Sequence, residues 1–289
     1  MENSEKSNLW RYRKKNIIGV LFFAAVFCSG FFIHGNTGMY LNLSGFIIVL
    51  GGTLCAALLS YPAERLAIVF KVLSASYGKP VRSPDSIINI LVDLSVKQRV
   101  RGILSLQDEE EETTIVFLRQ AIGLLVDDYS KDELRESLNA EMYFFRMRRD
   151  ETIRVLQTMA DVAPAFGLVG SVVGLISMLS GVGNSAVIMA TVPIALTSTL
   201  YGIILANLFF IPFASNIRER TVQELMLQKI ITEGVAAIAE DLHPRELDRK
   251  LKSYLTPAAR NEEVISLAKL KEKFESKESK ALEEAEEPT

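Results

Sequence analysis

Ser171 and the run Thr197-Ser198-Thr199 lie inside a stretch, Val162 to Asn216, that contains no Asp, Glu, Lys, Arg or His. A hydroxyl in so apolar a setting has two fates. It can bond a carbonyl of its own helix, or several can face a shared cavity and give oxygen ligands to a passing hydrated cation, because hard cations take oxygen. Ser171, Ser198 and Thr199 are therefore candidate ion-path residues. Asp161, one turn before Pro164, is the nearest carboxylate; it joins that path or is only an interfacial residue at the helix mouth. A protein that moved ions alone is expected to keep an ionisable group within its spanning helices, and this stretch keeps none.

The backbone around those hydroxyls is unusual. Pro164 and Pro212 each leave a carbonyl four residues earlier, Ala160 and Leu208, without its helical donor. Each is either a tolerated kink or a hinge, and both fall towards the same side of the stretch. Pro193 is a third candidate, or it simply adjusts the first turns of its helix. Ala163, Gly167, Gly170, Ser171 and Gly174 recur three or four apart, on one helical face, and Gly170 to Gly174 is a GxxxG. Small residues at that spacing let a second helix approach closely, whether from the same chain or from a partner.

The elements that carry these residues follow from hydropathy. A hydrocarbon core of roughly 30 Å needs about 20 apolar residues per helix, which gives four spans: Ile17 to Ile33, Leu43 to Tyr61, Val162 to Leu179 and Val187 to Phe213. Arg11, Arg13, Lys14 and Lys15 abut the first; Arg65 and Lys71 follow the second. Arg146, Arg148, Arg149 and Arg154 precede the third; Arg218 and Arg220 follow the fourth. The links within each pair, His34 to Asn42 and Gly181 to Ala186, carry no Lys or Arg. Positive residues stay inside, so both termini and the segment Pro62 to Asp161 are expected in the cytoplasm. The basic start and first apolar run resemble a signal peptide in outline, but no small-x-small site follows Ile33, so the run reads as a retained helix.

The wet part is helical as well. Ser83-Pro-Asp opens a helix with Ile87, Ile90, Leu91 and Leu94 at helical spacing; Gly102 interrupts it, and Ile103, Leu104 and Leu106 resume. Val116, Phe117, Ala121, Leu124 and Leu125 form a second block, and Asp127-Asp-Tyr-Ser is a turn. Ser130-Lys-Asp-Glu is a capping box opening a helix that runs into the third span without Gly or Pro before Ala163. Arg218 to Leu242 continues behind the fourth span, His243-Pro244 ends it, and Glu246 to Tyr254 adds a short helix. The fold class is all-α: an integral membrane protein with four transmembrane helices and a helical cytoplasmic domain. Its divisions are a cytoplasmic N-terminus (1–16), a first helix pair (17–61), a cytoplasmic domain (62–161), a second pair (162–213), C-terminal helices (214–261) and a charged tail (262–289) that is apolar-poor.

Composition excludes several classes. A net charge of -3 across 289 residues gives nucleic acid no basic surface. The two cysteines, Cys28 and Cys55, lie in apolar runs and read as packing residues, too few for a disulfide framework or metal cluster. The two histidines, His34 and His243, fall on opposite sides of the membrane, and no nucleotide-binding glycine loop occurs, so neither an enzyme nor a cofactor is expected.

Taken together, Asp161 to Leu179 (DVAPAFGLVGSVVGLISML), Leu196 to Pro212 (LTSTLYGIILANLFFIP) and Val49 to Pro62 (VLGGTLCAALLSYP) resemble the MotA/PomA stator subunits of the bacterial flagellar motor. The resemblance runs from about the first span to past Pro212. It implies a homopentamer in the lipid of the inner membrane, around two copies of a MotB/PomB-type partner that binds peptidoglycan and supplies the ion-binding aspartate missing here. It implies Na+ or H+ as the transported ion, with Ser171 where sodium-type members have threonine and Ser198 and Thr199 matching their hydroxyl pair. Pro164 and Pro212 match the family's two important prolines. Arg99 resembles the arginine that meets the rotor protein FliG. Gln107 stands where the family has glutamate, and Asp108 and Glu109 follow as substitutes for that negative surface. Two rivals remain at this stage: an ExbB/TolQ-like energiser of outer-membrane processes, against which the first helix pair argues, and a non-conducting membrane scaffold.

Overall fold

The computed structural model describes residues 19, 22–30, 33, 40–78, 82–107, 109, 113, 115–183 and 185–255. Among them there is no strand; every regular element is a helix. The N-terminus 1–16, much of the first expected span, Asp108 and the tail 262–289 lie outside the described residues. Helix α1 (22–30) falls within that span.

The chain divides into two compact units, Met1–Val81 with Phe144–Gln223 and Arg82–Tyr143 with Glu224–Thr289. In the first, Asn42 caps α2 (Leu43–Ser60) by accepting from the Gly45 amide at 3.1 Å. Tyr61 leaves helical geometry, as the residue before a proline must, and α3 (Ala63–Gly78) begins at once. Sequence reading passes over α3 because Glu64, Arg65 and Lys71 interrupt its apolar pattern. It buries Leu66 and Val69 and leaves Ile68 and Phe70 outside. Helix α6 (Lys131–Ser180) runs from the capping box through Pro164 without a break, and α7 (Ser185–Ile204) returns beside it. A π turn (Leu205–Phe210) then leads into α8 (Ile211–Ala239). The unit's core gathers Ala57, Ile153, Leu156, Ala163, Ala206 and Ile217. Both cysteines are exposed on their apolar helices, not packed as expected.

Three runs among the described residues are long and apolar enough to cross a membrane: Leu43–Ser60, part of Lys131–Ser180, and part of Ser185–Ala239. The expected irregularity at Pro212 takes a specific form. Pro212 has no N–H to return to the Leu208 carbonyl, and the chain meets it with the π turn just upstream, a wider winding in which i to i−4 bonding is given up.

In the second unit, Ser83 and Pro84 start α4 (Pro84–Arg101), and Gly102 ends it at φ 83°, a conformation glycine alone takes without strain. A 3-10 turn (Ile103–Leu106) follows, and α5 (Val116–Val126) packs against that turn. At the start of α6, Ser130 N donates to Glu133 Oε2 at 3.0 Å and the Glu133 amide returns a bond to Ser130 Oγ at 3.4 Å, completing the capping box. The Ser130 hydroxyl, which donates to Glu133 Oε2 at 2.6 Å, and then the Ser130 amide hold the Glu133 carboxyl below the ordinary carboxylate range. Helix α9 (Pro244–Lys252) is capped by His243 and packs on α4. The core is Ile87, Leu91, Leu118, Ile122, Leu134 and Ile230, all with almost no exposed surface.

Candidate functional site: a hydroxyl cluster between two helices

Helices α6 and α7 meet through side chains that are nearly absent. A Cβ placed on Gly174 would lie 2.7 Å from Ala195 N, and one on Gly167 would lie 3.0 Å from Ser198 O and 3.1 Å from Thr199 Cα. The glycine face of α6 is thus occupied by α7 of the same chain. Backbones this close gain dispersion contacts that hydrocarbon chains cannot match, and they bring main-chain carbonyls within reach of the neighbouring helix.

At that contact Ser171 Oγ donates to the Ala195 carbonyl across the pair, lies 3.2 Å from its own Gly167 carbonyl, and is 2.5 Å from Thr199 Oγ1. Thr199 Oγ1 is itself 3.5 Å from Gly167 O. Each hydroxyl carries one proton, so two protons serve four oxygen-to-oxygen contacts. At any moment two of those contacts have lone pairs facing lone pairs. Such a cluster presents negative potential with no formal charge, and both hydroxyls are only half-buried. Chemically it is suited to hold a dehydrating cation, or to pass a proton between oxygens.

Ser198 is placed differently. Its hydroxyl donates to the Ile194 carbonyl at 2.6 Å and its side chain is fully buried. A Cβ on either Gly45 of α2 or Gly170 of α6 would come within 2.6 Å of Ser198 Oγ. Ser198 is a knob seated between two helices, one residue away from the cluster. Thr197 likewise returns its hydroxyl to Pro193 O at 2.6 Å.

Asp161 is exposed on α6, more than two turns from Ser171. Pro164 is half-buried within α6, and Pro212 is exposed at the start of α8. Asn207, in the π turn, is exposed and donates its amide to Ile203 O at 3.0 Å. Tyr201 was not singled out by the sequence. Its hydroxyl donates to the Tyr40 carbonyl and accepts from the Asn42 amide at 2.7 Å, while its ring meets Phe46 edge-on at 6.0 Å. It ties α7 to the cap of α2, next to the hydroxyl run; a lone tyrosine amid aliphatic residues was the available signal.

The second candidate site is in the other unit. Arg99 is exposed at the end of α4, and its guanidinium donates to the carbonyl of Asp241. Gln98 Nε2 donates to Asp241 Oδ1 at 2.9 Å. Asp241, just past the end of α8, holds φ 54° in the left-handed region. Glu109 pairs with Lys97 at 3.1 Å, and Gln107 is exposed. Asp108 lies outside the described residues.

Comparisons with known proteins agree with this architecture. Residues 109–256 match the family model described as the MotA/TolQ/ExbB proton channel family. The chain is 31% identical over 232 residues to Chemotaxis protein PomA of Vibrio alginolyticus, covering 80% of this chain and 91% of that protein. It is 31% identical over 240 residues to Motility protein A of Borreliella burgdorferi, covering 83% and 92%. Its fold superposes on the C. jejuni MotAB structure with a TM-score of 0.78 at 26% identity, over 87% of this chain and 98% of that one. The flagellar MotAB stator complex of Bacillus subtilis shares the fold at TM-score 0.77 and 23% identity. The family model spans both helices of the pair, and with these relatives it shows that the chain belongs to the MotA/TolQ/ExbB family, on the side of its motility proteins.

Proposed function

We propose that this chain is the ring-forming subunit of a flagellar stator in the bacterial inner membrane. Five copies surround two copies of a MotB/PomB-type partner, and cation flow between them drives the ring against a FliG-type rotor protein. Each copy crosses the membrane four times, with both termini in the cytoplasm. One observation supports this most: Ser171 and Thr199 meet two main-chain carbonyls within Val162 to Asn216, the stretch devoid of charged side chains. The pair offers oxygen ligands and lacks the carboxylate, which the partner then supplies.

In this reading a cation passes the Ser171 and Thr199 oxygens, with Ser198 setting the helix spacing beside them and Asp161 at the cytoplasmic mouth. Each charge crossing the membrane releases about 2.3 kcal/mol per 100 mV. Charging and discharging the partner carboxylate changes the local field by a full unit, which biases the bend at Pro164 and Pro212. Arg99, Asp108 and Glu109 face the rotor. Oxygen ligands suit sodium, a hydroxyl is equally compatible with proton traffic through water, and the family model is described as a proton channel.

The test is rotation of tethered cells that lack the chain but assemble filaments. Restoring the chain is expected to restore rotation, at a speed that follows external sodium at fixed pH. Speed that follows pH and ignores sodium assigns the proton instead; rotation unaffected by loss of the chain rejects a sole stator role.

A further inference from the structure

The meshing of α6 with α7 changes character at Pro164. At Gly174 and Gly167 the glycine is on α6 and the backbone of α7 enters the gap. At the proline the roles reverse: the glycine is Gly202 on α7, and α6 presents its own backbone. A Cβ on Gly202 would stand 2.6 Å from Ala163 O and 3.0 Å from Pro164 Cα. Both neighbours are main-chain atoms, so neither can rotate away. Gly202 is buried, as is Ala163.

Two irregularities flank this point. On α6, Pro164 has withdrawn the donor from Ala160 O, so bending there costs little extra hydrogen bonding. On α7, the π turn begins at Leu205, three residues beyond Gly202. Towards Ser171 and Thr199 the two helices interlock closely, while on the other side of Gly202 the α6 carbonyl of Ala160 lacks its helical donor and α7 gives way to the π turn. A lever turns where its rigid part ends. We propose that Gly202 is the positioning residue for the Pro164 hinge: its missing side chain lets the α6 bend rest on the backbone of α7, so that the segment carrying the hydroxyl cluster rocks about this contact. The assignment rests on the stator reading and places Gly202 outside the ion's own ligands.

The test compares Gly202→Ala, Pro164→Ala and the double variant in tethered cells across a range of coupling-ion concentration, with co-purification of the partner subunit as the measure of assembly. Gly202→Ala is expected to assemble, to lower the maximal speed at saturating ion at least twofold, and to leave the half-saturating concentration unchanged, since no ion ligand is touched. In the Pro164→Ala background it is expected to cause no further loss. Four results overturn the proposal: wild-type speed in Gly202→Ala; a shifted half-saturation at unchanged maximal speed; losses that multiply in the double variant; or failure of Gly202→Ala to accumulate or assemble, which makes the contact purely structural. Failure of the wild-type chain to restore rotation would reject the stator reading itself and is seen separately.

Discussion

Ser171 reaches three oxygens with a single proton of its own, and this crowding makes its replacement informative. Ser171→Ala and Thr199→Ala each remove an oxygen without changing charge. Each is expected to raise the cation concentration needed for half-maximal rotation, with recovery at high concentration, whereas Ser171→Thr keeps the oxygen and is expected to stay near wild type. Equal loss at all concentrations would assign these hydroxyls to packing. Glu233 shows a different economy, in water. Its side chain is 10% exposed and meets Arg135 at 2.5 Å, Lys229 at 3.1 Å and Lys250 at 3.7 Å, joining α6, α8 and α9. Burial pushes its carboxyl up, but the bonds and charges of Lys229 and Arg135 outweigh burial and hold it below the usual carboxylate range. A depressed folded-state value contributes stability above the unfolded pKa, about 4.3, and loses it as pH falls through the lower folded value. Acidification below about pH 4 is therefore expected to loosen the Arg82–Tyr143 and Glu224–Thr289 unit. Glu233→Gln is expected to be destabilised by on the order of 1 kcal/mol at neutral pH, because the three cations it holds are themselves partly exposed and water screens them, and to lose part of that acid dependence. Thermal unfolding of the detergent-solubilised protein against pH measures both.

At the scale of elements, shape complementarity between helices outweighs any single hydrogen bond. Gly174 accepts Ala195 so closely that a leucine there would have to displace main chain as well as the Ala195 Cβ. Overpacking of a fitted core costs about 1–3 kcal/mol even where neighbours can adjust. Gly174→Leu is expected to exceed that range and to reduce folded protein recovered from membranes, while Val172→Leu, on the exposed face, leaves it unchanged. Helix ends are specified as closely. Gly102 stops α4 at φ 83°, and Gly102→Ala is expected to cost about 1 kcal/mol, read as a lowered midpoint of unfolding with the core intact. Helices α7 and α8 show the opposite case. A proline that would break a soluble helix is accommodated by a π turn, and an uninterrupted path for the chain is kept through Ser185–Ala239.

At the scale of the whole molecule, the decisive property is what the apolar helices lack. From Val162 to Asn216 no side chain can carry a charge, and transporting helices ordinarily keep one. The chain reconstituted alone into vesicles is expected to pass no cation under an applied potential. Co-reconstitution with a MotB/PomB-type partner freed to conduct is expected to give flux, and replacing that partner's membrane aspartate by asparagine is expected to abolish it. Flux from the chain alone would locate the ion-binding group here and overturn this division of labour.

The sequence by itself determined the class and most of the elements. Hydropathy, capping chemistry and special glycines act locally: the box at Ser130, the stop at Gly102, and the unbroken run from Lys131 into the charge-free stretch are all written in neighbouring residues. The motifs around Pro164 and Pro212 likewise carried the family, because they are contiguous. Helix α3 was not legible, since it is helical by what it packs against and its pattern is broken by charge. Within the site, Ser171, Ser198 and Thr199 are equivalent in composition and spacing. Only the approach of α7 to the glycine face of α6 separates them, turning Thr199 towards Ser171 and seating Ser198 between Gly45 and Gly170. Tyr201 and Gly202 gained their places in the same way. Sequence records which residues have a hydroxyl, a proline or no side chain, but which oxygen faces which depends on the rotation and depth of one helix against another. That is settled by close packing over the whole contact, and no single residue encodes it.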